Sequence, residues 1–569
     1  MGTRLAAPRP ILLAASLVLM FGSGESRADE AAPELDDALR TVVEGIRAES
    51  IVSTIRFLAS DGLEGREAGE RGHDLAAAYL VSRFQALGLR SAASGGFLER
   101  FRLRYRYLTE KEQFSVARRE GDAEVRREFR VTADFSPFVF SEVGAVEAPL
   151  VFAGYGIDAP EHGWDDYAVL GKSGARGKIV VVFRHEPDRE GKQGSGFFVG
   201  REMTRHASLR QKARAAAAAG AVGLIVVDGP VGDEVKENPS SGASRWTVMT
   251  ESERKLERDD PERPAARADI EDRSAPLGIL AVHASQELLR WLDPGRDWAA
   301  LQRQMDEQRK PATQSFAGAT ARIVHDVYTE YREVANVVAL LPGSDPALRE
   351  EYVLVGGHYD HEGKDARNDD VYHGADDNAS GTAATVAVAE AFAHLARAPK
   401  RSLLFAAFAA EEKGLLGSER LVRHPPVGLG KIVAGINLDM VGRNKAGEIS
   451  IVGRDLMPDF AAIFDRWAPA AGLALNDDAG AGAGRSDNAS LWLGGVPTVS
   501  LFSGTHEDYH RPTDTVDKIV PAKVQAAARL TFLVAHEIAE GGATPKPLAV
   551  PAGPWKPIAP ASRLVEEKR

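Results

Sequence analysis

The residues best suited to chemistry fall in five short stretches, each placed where an apolar run ends. Gly356-Gly357-His358-Tyr359-Asp360-His361 follows Tyr352-Val353-Leu354-Val355. A neutral imidazole is a good zinc ligand, and its second nitrogen needs an acceptor to fix the tautomer. Asp360 lies two residues beyond His358, on the same side of an extended chain, and can supply that acceptor. Gly374-Ala375-Asp376-Asp377-Asn378-Ala379-Ser380-Gly381 offers an Asp able to bridge two cations, although Asp376, Asp377 or Asn378 could equally cap a helix. In Ala409-Ala410-Glu411-Glu412-Lys413-Gly414, two adjacent carboxylates follow a buried run. Holding them together is costly unless a cation or a shared proton compensates. One could then bind metal while its neighbour takes a proton from water. Asp439 ends the apolar run Val433–Leu438, and Asp508-Tyr509-His510-Arg511-Pro512-Thr513-Asp514-Thr515 follows Val496–Phe502.

Pooled, these stretches hold two metal-binding His, three ligand carboxylates and a spare Glu. Two dications carry +4, and Asp377, Glu412, Asp439 and one hydroxide balance that charge. The chain contains no Cys, so any metal must be held by His and carboxylates. Such ligation fits zinc, with manganese or cobalt as substitutes.

The elements that must position these residues come from the hydrophobic pattern. The 569 residues are too many for one compact core, so more than one domain is expected. Strands Val334–Leu341, Tyr352–Gly356, Ser402–Ala407, Val433–Leu438 and Val496–Phe502 alternate with helical patterns at Gly381–Leu395 and Leu456–Ala468. That alternation predicts an α/β fold, a mostly parallel mixed sheet sandwiched by helices. Open parallel sheets bind ligands beyond the carboxyl ends of their strands, where all five stretches would meet.

Upstream, Leu35–Leu58 and Gly72–Leu87 have helical spacing, and Phe97–Phe140 shortens toward strands. Strands at 149–152, 177–183 and 223–227, with an Ala-rich helix at 212–219, predict a second, smaller α/β unit. Glu251–Arg273 is dominated by charge and reads as a solvated loop. At the N-terminus, Arg4 and Arg9 precede the apolar run Ile11–Phe21 and the small-residue exit Ser26-Arg27-Ala28, a signal-peptide pattern. No later segment has the length and purity of a membrane span. A net charge of −12 argues against a nucleic-acid or anionic-membrane surface.

The ordered set His358-x-Asp360, Asp377, Glu411-Glu412, Asp439 and Tyr509-His510 resembles the M28 co-catalytic zinc metallopeptidases, the aminopeptidase Y and bacterial leucyl aminopeptidase group. The resemblance covers about 35–91 and 316–540, including Leu63-Glu64-Gly65-Arg66, while 154–228 resembles the protease-associated (PA) domain often inserted in this family. It implies a zinc-exopeptidase fold of the phosphorylase/hydrolase type. It also implies two zinc ions, one on His358 and Asp439, the other on Glu412 and His510, with Asp377 between them. Glu411 would be the general base and Asp360 the partner of His358. Tyr509 could donate to the developing oxyanion, and Arg485 is a weaker candidate for substrate contact. Asn488 stands where the family commonly has His, which bears on substrate preference more than on metal binding.

The expected organisation is a signal peptide (1–28), an N-terminal part of the peptidase domain (29–140), an inserted PA-like domain (141–312), the catalytic domain (313–543) and a flexible tail (544–569). The expected function is an exported, periplasmic or secreted aminopeptidase that hydrolyses peptides through a metal-bound hydroxide. A carboxypeptidase of the same fold, a single-zinc cyclase of related fold and a non-catalytic binding protein are the alternatives.

Overall fold

The computed structural model describes residues 35–92, 95–171, 174–187, 205–231, 248–249, 267–270, 277–365, 369–454, 457–476 and 486–546. The signal-peptide pattern, Arg485 and most of the tail lie outside the described residues. Among the described residues, no helix is long and apolar enough to cross a membrane.

The larger sheet contains the successive strands Ser402–Phe408, Tyr352–His358, Ile432–Leu438 and Thr498–Phe502, all parallel. Val327–Leu341 joins one side antiparallel and Glu448–Val452 the other. Side chains alternate between the two faces. Val353, Val355, Leu403 and Phe405 pack under helices Ala48–Leu58, Arg71–Ala86, Gly381–Ala393, Pro458–Ala471 and Pro521–Ala539. Leu354, Leu404 and Ala406 pack with Leu421, Val422 and Leu491 from the short helices Leu416–Arg423 and Asn488–Leu493. The sheet is thus covered on both faces, which its unbroken apolar strands require.

The first strand of the parallel block in chain order, Tyr352–His358, lies between the second and the third. The chain therefore runs in opposite directions away from it, and a crevice opens at its carboxyl end. Gly357 and Gly381 keep that region tight, because a Cβ on either would collide with the carbonyl oxygen of Leu438.

A second sheet is built around the parallel strands Gly144–Ala153, Ile179–Phe183, Gly223–Val227 and Leu280–Ala284. It also includes Gln113–Glu120, Ala123–Phe129, Phe135–Pro137 and Thr313–His325. Sheet membership therefore changes near residues 110 and 326. The cause is a pair of antiparallel crossings, Leu98–Thr109 into Gln113–Glu120 and Thr313–His325 into Val327–Leu341. Glu112 ties them by accepting from the His325 ring and the Asp326 amide, each at 2.7 Å.

Two expectations are corrected. The helical run from Leu35 breaks into Asp37–Gly45 and Ala48–Leu58, with Ile46 and Arg47 extended between them. Within the expected solvated loop, Arg267–Ile270 pairs antiparallel with Leu103–Arg106. Edge pairing depends on a distant partner strand, which local composition does not reveal.

Candidate functional site

A cleft of about 560 Å³ opens at the carboxyl ends of the four parallel strands. It is lined by His358, Asp377, Glu411, Glu412, Asp439, Tyr509 and His510, together with Met440, Val452, Ser486, Asn488, Ser500, Phe502 and Thr505. All five sequence stretches converge there.

His358 ends its strand, and its Nε2 faces Asp377 Oδ1 and Asp439 Oδ1, both at 3.4 Å, with Glu411 Oε2 at 3.9 Å. Its Nδ1 donates to the backbone carbonyl of Asp360 at 3.2 Å, whereas the Asp360 carboxylate is 3.8 Å away. The expected partner residue is therefore present, but its main chain is the acceptor. The carboxylate instead accepts from the Glu411 and Glu412 amides. Those amides become available because Ala410 turns at a φ of +57°.

The neighbouring polar residues 376–378 divide three jobs. Asp377 reaches both imidazoles, with Oδ1 facing His358 and Oδ2 lying 3.1 Å from His510 Nε2. Asp376 turns away to accept from the Gly442 amide at 2.6 Å and faces His506. Asn378 Oδ1 accepts from the amides of Gly381 and Met440, the first of these being an N-terminal helix contact. Asp514 accepts from the Asp376 and Asp377 amides at 2.9 and 3.0 Å, which orients the loop.

On the far side, His510 Nε2 also lies 3.2 Å from Glu412 Oε2. His361 Nδ1 donates to Glu412 Oε1 at 2.9 Å, and Glu362 Oε1 is 3.4 Å from His510 Nδ1. The Tyr509 ring stacks on His510, with centroids 3.9 Å apart.

Electrostatics follow from this crowding. Burial and the neighbouring acids Glu412, Asp487 and Asp439 push Glu411 well above the ordinary carboxylate range, against the pull of His358. Burial pushes Asp487 up to about 7. Burial and Asp377 also work to raise Glu412, but hydrogen bonds from His361 and His510 outweigh them and bring it to about 2. Burial disfavours charge on His510, yet its contacts with Asp377 and Glu412 raise it to about 11. His358, raised well above its ordinary value, and His510 are thus held protonated by surplus negative charge, as expected of a donor set shaped for cations.

The donor geometry fits metal. His358, Asp377 and Asp439 present ligand atoms within 4.8 Å of one another, as do His361, Asp377 and Glu412, and also Glu362, Glu412 and His510. Asp439 Oδ1 is buried and accepts no well-formed hydrogen bond, with His358 Nε2 3.4 Å away, so a metal ion would give it the partner it lacks.

Arg66, His361, Glu362, Asp487 and Asp514 were not singled out from sequence. The fully buried Arg66 donates to the carbonyls of Leu58, Tyr359, His373 and Gly374, joining the His358 strand to the Asp377 loop. Its signal was the charged residue inside Leu63-Glu64-Gly65-Arg66, a stretch otherwise read only by resemblance.

Residues 336–535 match the family model for peptidase family M28, and residues 146–255 match that of the PA domain. A probable zinc metalloprotease of Pyrenophora teres f. teres is 36% identical over 187 residues, 30% of this chain and 37% of that protein. A probable leucine aminopeptidase of Trichophyton verrucosum is 27% identical over 245 residues, 41% of this chain and 64% of that protein. The matched stretches thus span only part of those relatives' lengths. Among solved structures, the aminopeptidase from Aneurinibacillus sp. strain AM-1 aligns over 91% of this chain and 99% of its own, with a TM-score of 0.52. At 20% identity this is a likeness of fold.

Proposed function

We propose that this chain, whose residues 336–535 match the family model for peptidase family M28, is a zinc exopeptidase of the aminopeptidase type, acting on peptides. The observation that carries this reading is the charge of the cleft. Its described lining holds four carboxylates and neither Lys nor Arg. A terminal carboxylate calls for Arg or Lys, which the described lining does not supply, and similarity to a probable leucine aminopeptidase supports the choice of the N-terminal end.

His358 and Asp439 would hold one zinc ion, Glu412 and His510 the other, with Asp377 shared between them. Manganese or cobalt could substitute. When bound, such a pair lowers the pKa of water and polarises the scissile carbonyl. Glu411 takes the proton from the attacking water as the C–O bond forms. It then passes that proton to the leaving amine nitrogen as the C–N bond breaks. The Tyr509 hydroxyl donates to the carbonyl oxygen as charge develops there. Met440, Val452 and Phe502 form an apolar cluster beside the acids, suited to an apolar terminal side chain. Export through residues 1–28 completes the reading.

The test uses the zinc-loaded full chain and peptides whose ends are free, N-acetylated or C-amidated. Release of the N-terminal residue from free and C-amidated peptides, with the acetylated ones intact, is the expected result. Trimming of acetylated peptides from a free C-terminus would make it a carboxypeptidase. Binding without cleavage would make it a non-catalytic protein.

A further inference from the structure

Four side chains close a ring on one half of the site. His361 Nδ1 donates to Glu412 Oε1 at 2.9 Å, and Glu412 Oε2 lies 3.2 Å from His510 Nε2. His510 Nδ1 then lies 3.4 Å from Oε1 of Glu362, the residue next to His361. From this geometry we infer that His361 and Glu362 are positioning residues that set the affinity of the Glu412–His510 half of the site, leaving the His358–Asp439 half to its own contacts. The inference rests on the two-ion reading proposed above.

Without the ring, each ligand would lack a fixed orientation. Glu412 has two equivalent oxygens and, unheld, could swing either toward an ion. His361, fully buried, holds Oε1 and leaves Oε2 as the oxygen presented beside His510. His510 sits on a loop at a φ of +53° and is about a third exposed. Its ring therefore needs an outside partner to fix which nitrogen carries the proton, and Glu362 faces that other nitrogen. The His358 half has separate supports. Its Nδ1 donates to the Asp360 carbonyl, and its own carbonyl accepts from the Thr382 hydroxyl at 2.6 Å. Asp360 and Asp377 touch both halves, but His361 and Glu362 contact the ligands Glu412 and His510 and neither His358 nor Asp439, so their loss should fall on the Glu412–His510 half.

The experiment measures zinc binding to the metal-free full chain by chelator competition, resolving two steps, with cobalt absorption spectra alongside. The variants are His361→Leu, His361→Gln, Glu362→Leu and Glu362→Gln. Either Leu variant should weaken one step about 10–100-fold, the range for lost ligand-orienting contacts, and leave the other unchanged. The Gln variants should restore the weakened step, since Gln can donate to Glu412 from position 361 and accept from His510 at position 362. Cobalt bands should keep their wild-type positions throughout.

Unchanged affinity in both Leu variants, with two ions bound by the wild type, would overturn the inference alone. Equal weakening of both steps, or a cobalt spectrum in His361→Leu that reports a lost nitrogen ligand, would overturn it as well. A wild-type chain that binds a single ion would overturn the two-ion reading and this inference with it.

Discussion

The carboxylate of Asp360 accepts hydrogen bonds from the backbone amide of Glu411 through Oδ1 at 3.0 Å and from that of Glu412 through Oδ2 at 3.3 Å. One residue thus steadies both halves of the site: its carbonyl holds His358, and its carboxylate holds the turn that presents the two glutamates. Both oxygens are used as acceptors. In Asp360→Asn, one would become an N–H₂ group aimed at an N–H donor. We expect a folded protein whose kcat on a free N-terminal peptide falls about 10–100-fold, as is typical of residues that orient metal ligands. Steady-state kinetics beside a thermal melt would check this, and wild-type kcat would contradict it.

Arg66 is the fixed cation of an acidic neighbourhood. Burial lowers its pKa to about 10, while Asp360, Asp377, Asp514 and Glu412 oppose that shift, so it stays charged at neutral pH. Arg66→Met would remove the donor from the carbonyls of Leu58, Tyr359 and His373, at about 1–3 kcal/mol for each left unpaired, while the Gly374 carbonyl keeps the Ala379 amide. Arg66→Lys keeps the charge and loses the fork geometry, so it should recover only part of the stability. Denaturant unfolding of the metal-free proteins would measure both, and a Met variant as stable as wild type would refute the role.

Metal binding should release protons. In the metal-free protein the His510 pKa is raised to about 11 and that of His358 stands well above the ordinary value. For both, burial opposes the charge and the surrounding carboxylates outweigh it. Ligation requires neutral imidazole, so zinc displaces these protons at pH 7, and affinity rises with pH across the neutral range. The same shifts have a stability sign. Protonated His510 supports the metal-free fold fully below its unfolded pKa of about 6.5, and that support fades as pH rises through the raised folded value. Calorimetric zinc titrations in buffers of different ionisation enthalpy would count the protons. Release of none would contradict the electrostatic account.

Tyr509→Phe keeps the ring stacked on His510 and removes only the hydroxyl. If that hydroxyl meets the developing oxyanion, kcat falls about 10²-fold with KM little altered, the pattern for loss of one transition-state donor. An unchanged kcat would leave Tyr509 a packing residue.

Much of the site was legible in sequence because its residues sit at ends of strands whose apolar runs are unmistakable, as His358 does after Tyr352–Val355 and Asp439 after Val433–Leu438. The choice among Asp376, Asp377 and Asn378 was not legible, since each is a plausible cap and only the Gly442 and Gly381 amides separate them. Arg66 and Asp514 act on residues far away in sequence, so no local pattern could announce them. His361 and Glu362 adjoin a motif that already explained itself. The limits of the second sheet were obscured for a similar reason, because strands at 113–129 and 313–325 join it through pairings that composition does not encode.

In the proposed reaction Glu411 moves the proton at a site that its neighbours build for metal. Glu411→Gln preserves size and removes the basic oxygen, so the most direct measurement is zinc content and kcat of this variant, taken together. Full zinc content with kcat reduced by at least ~10²-fold is predicted, within the range for loss of a general base. Full zinc content with wild-type kcat would contradict it.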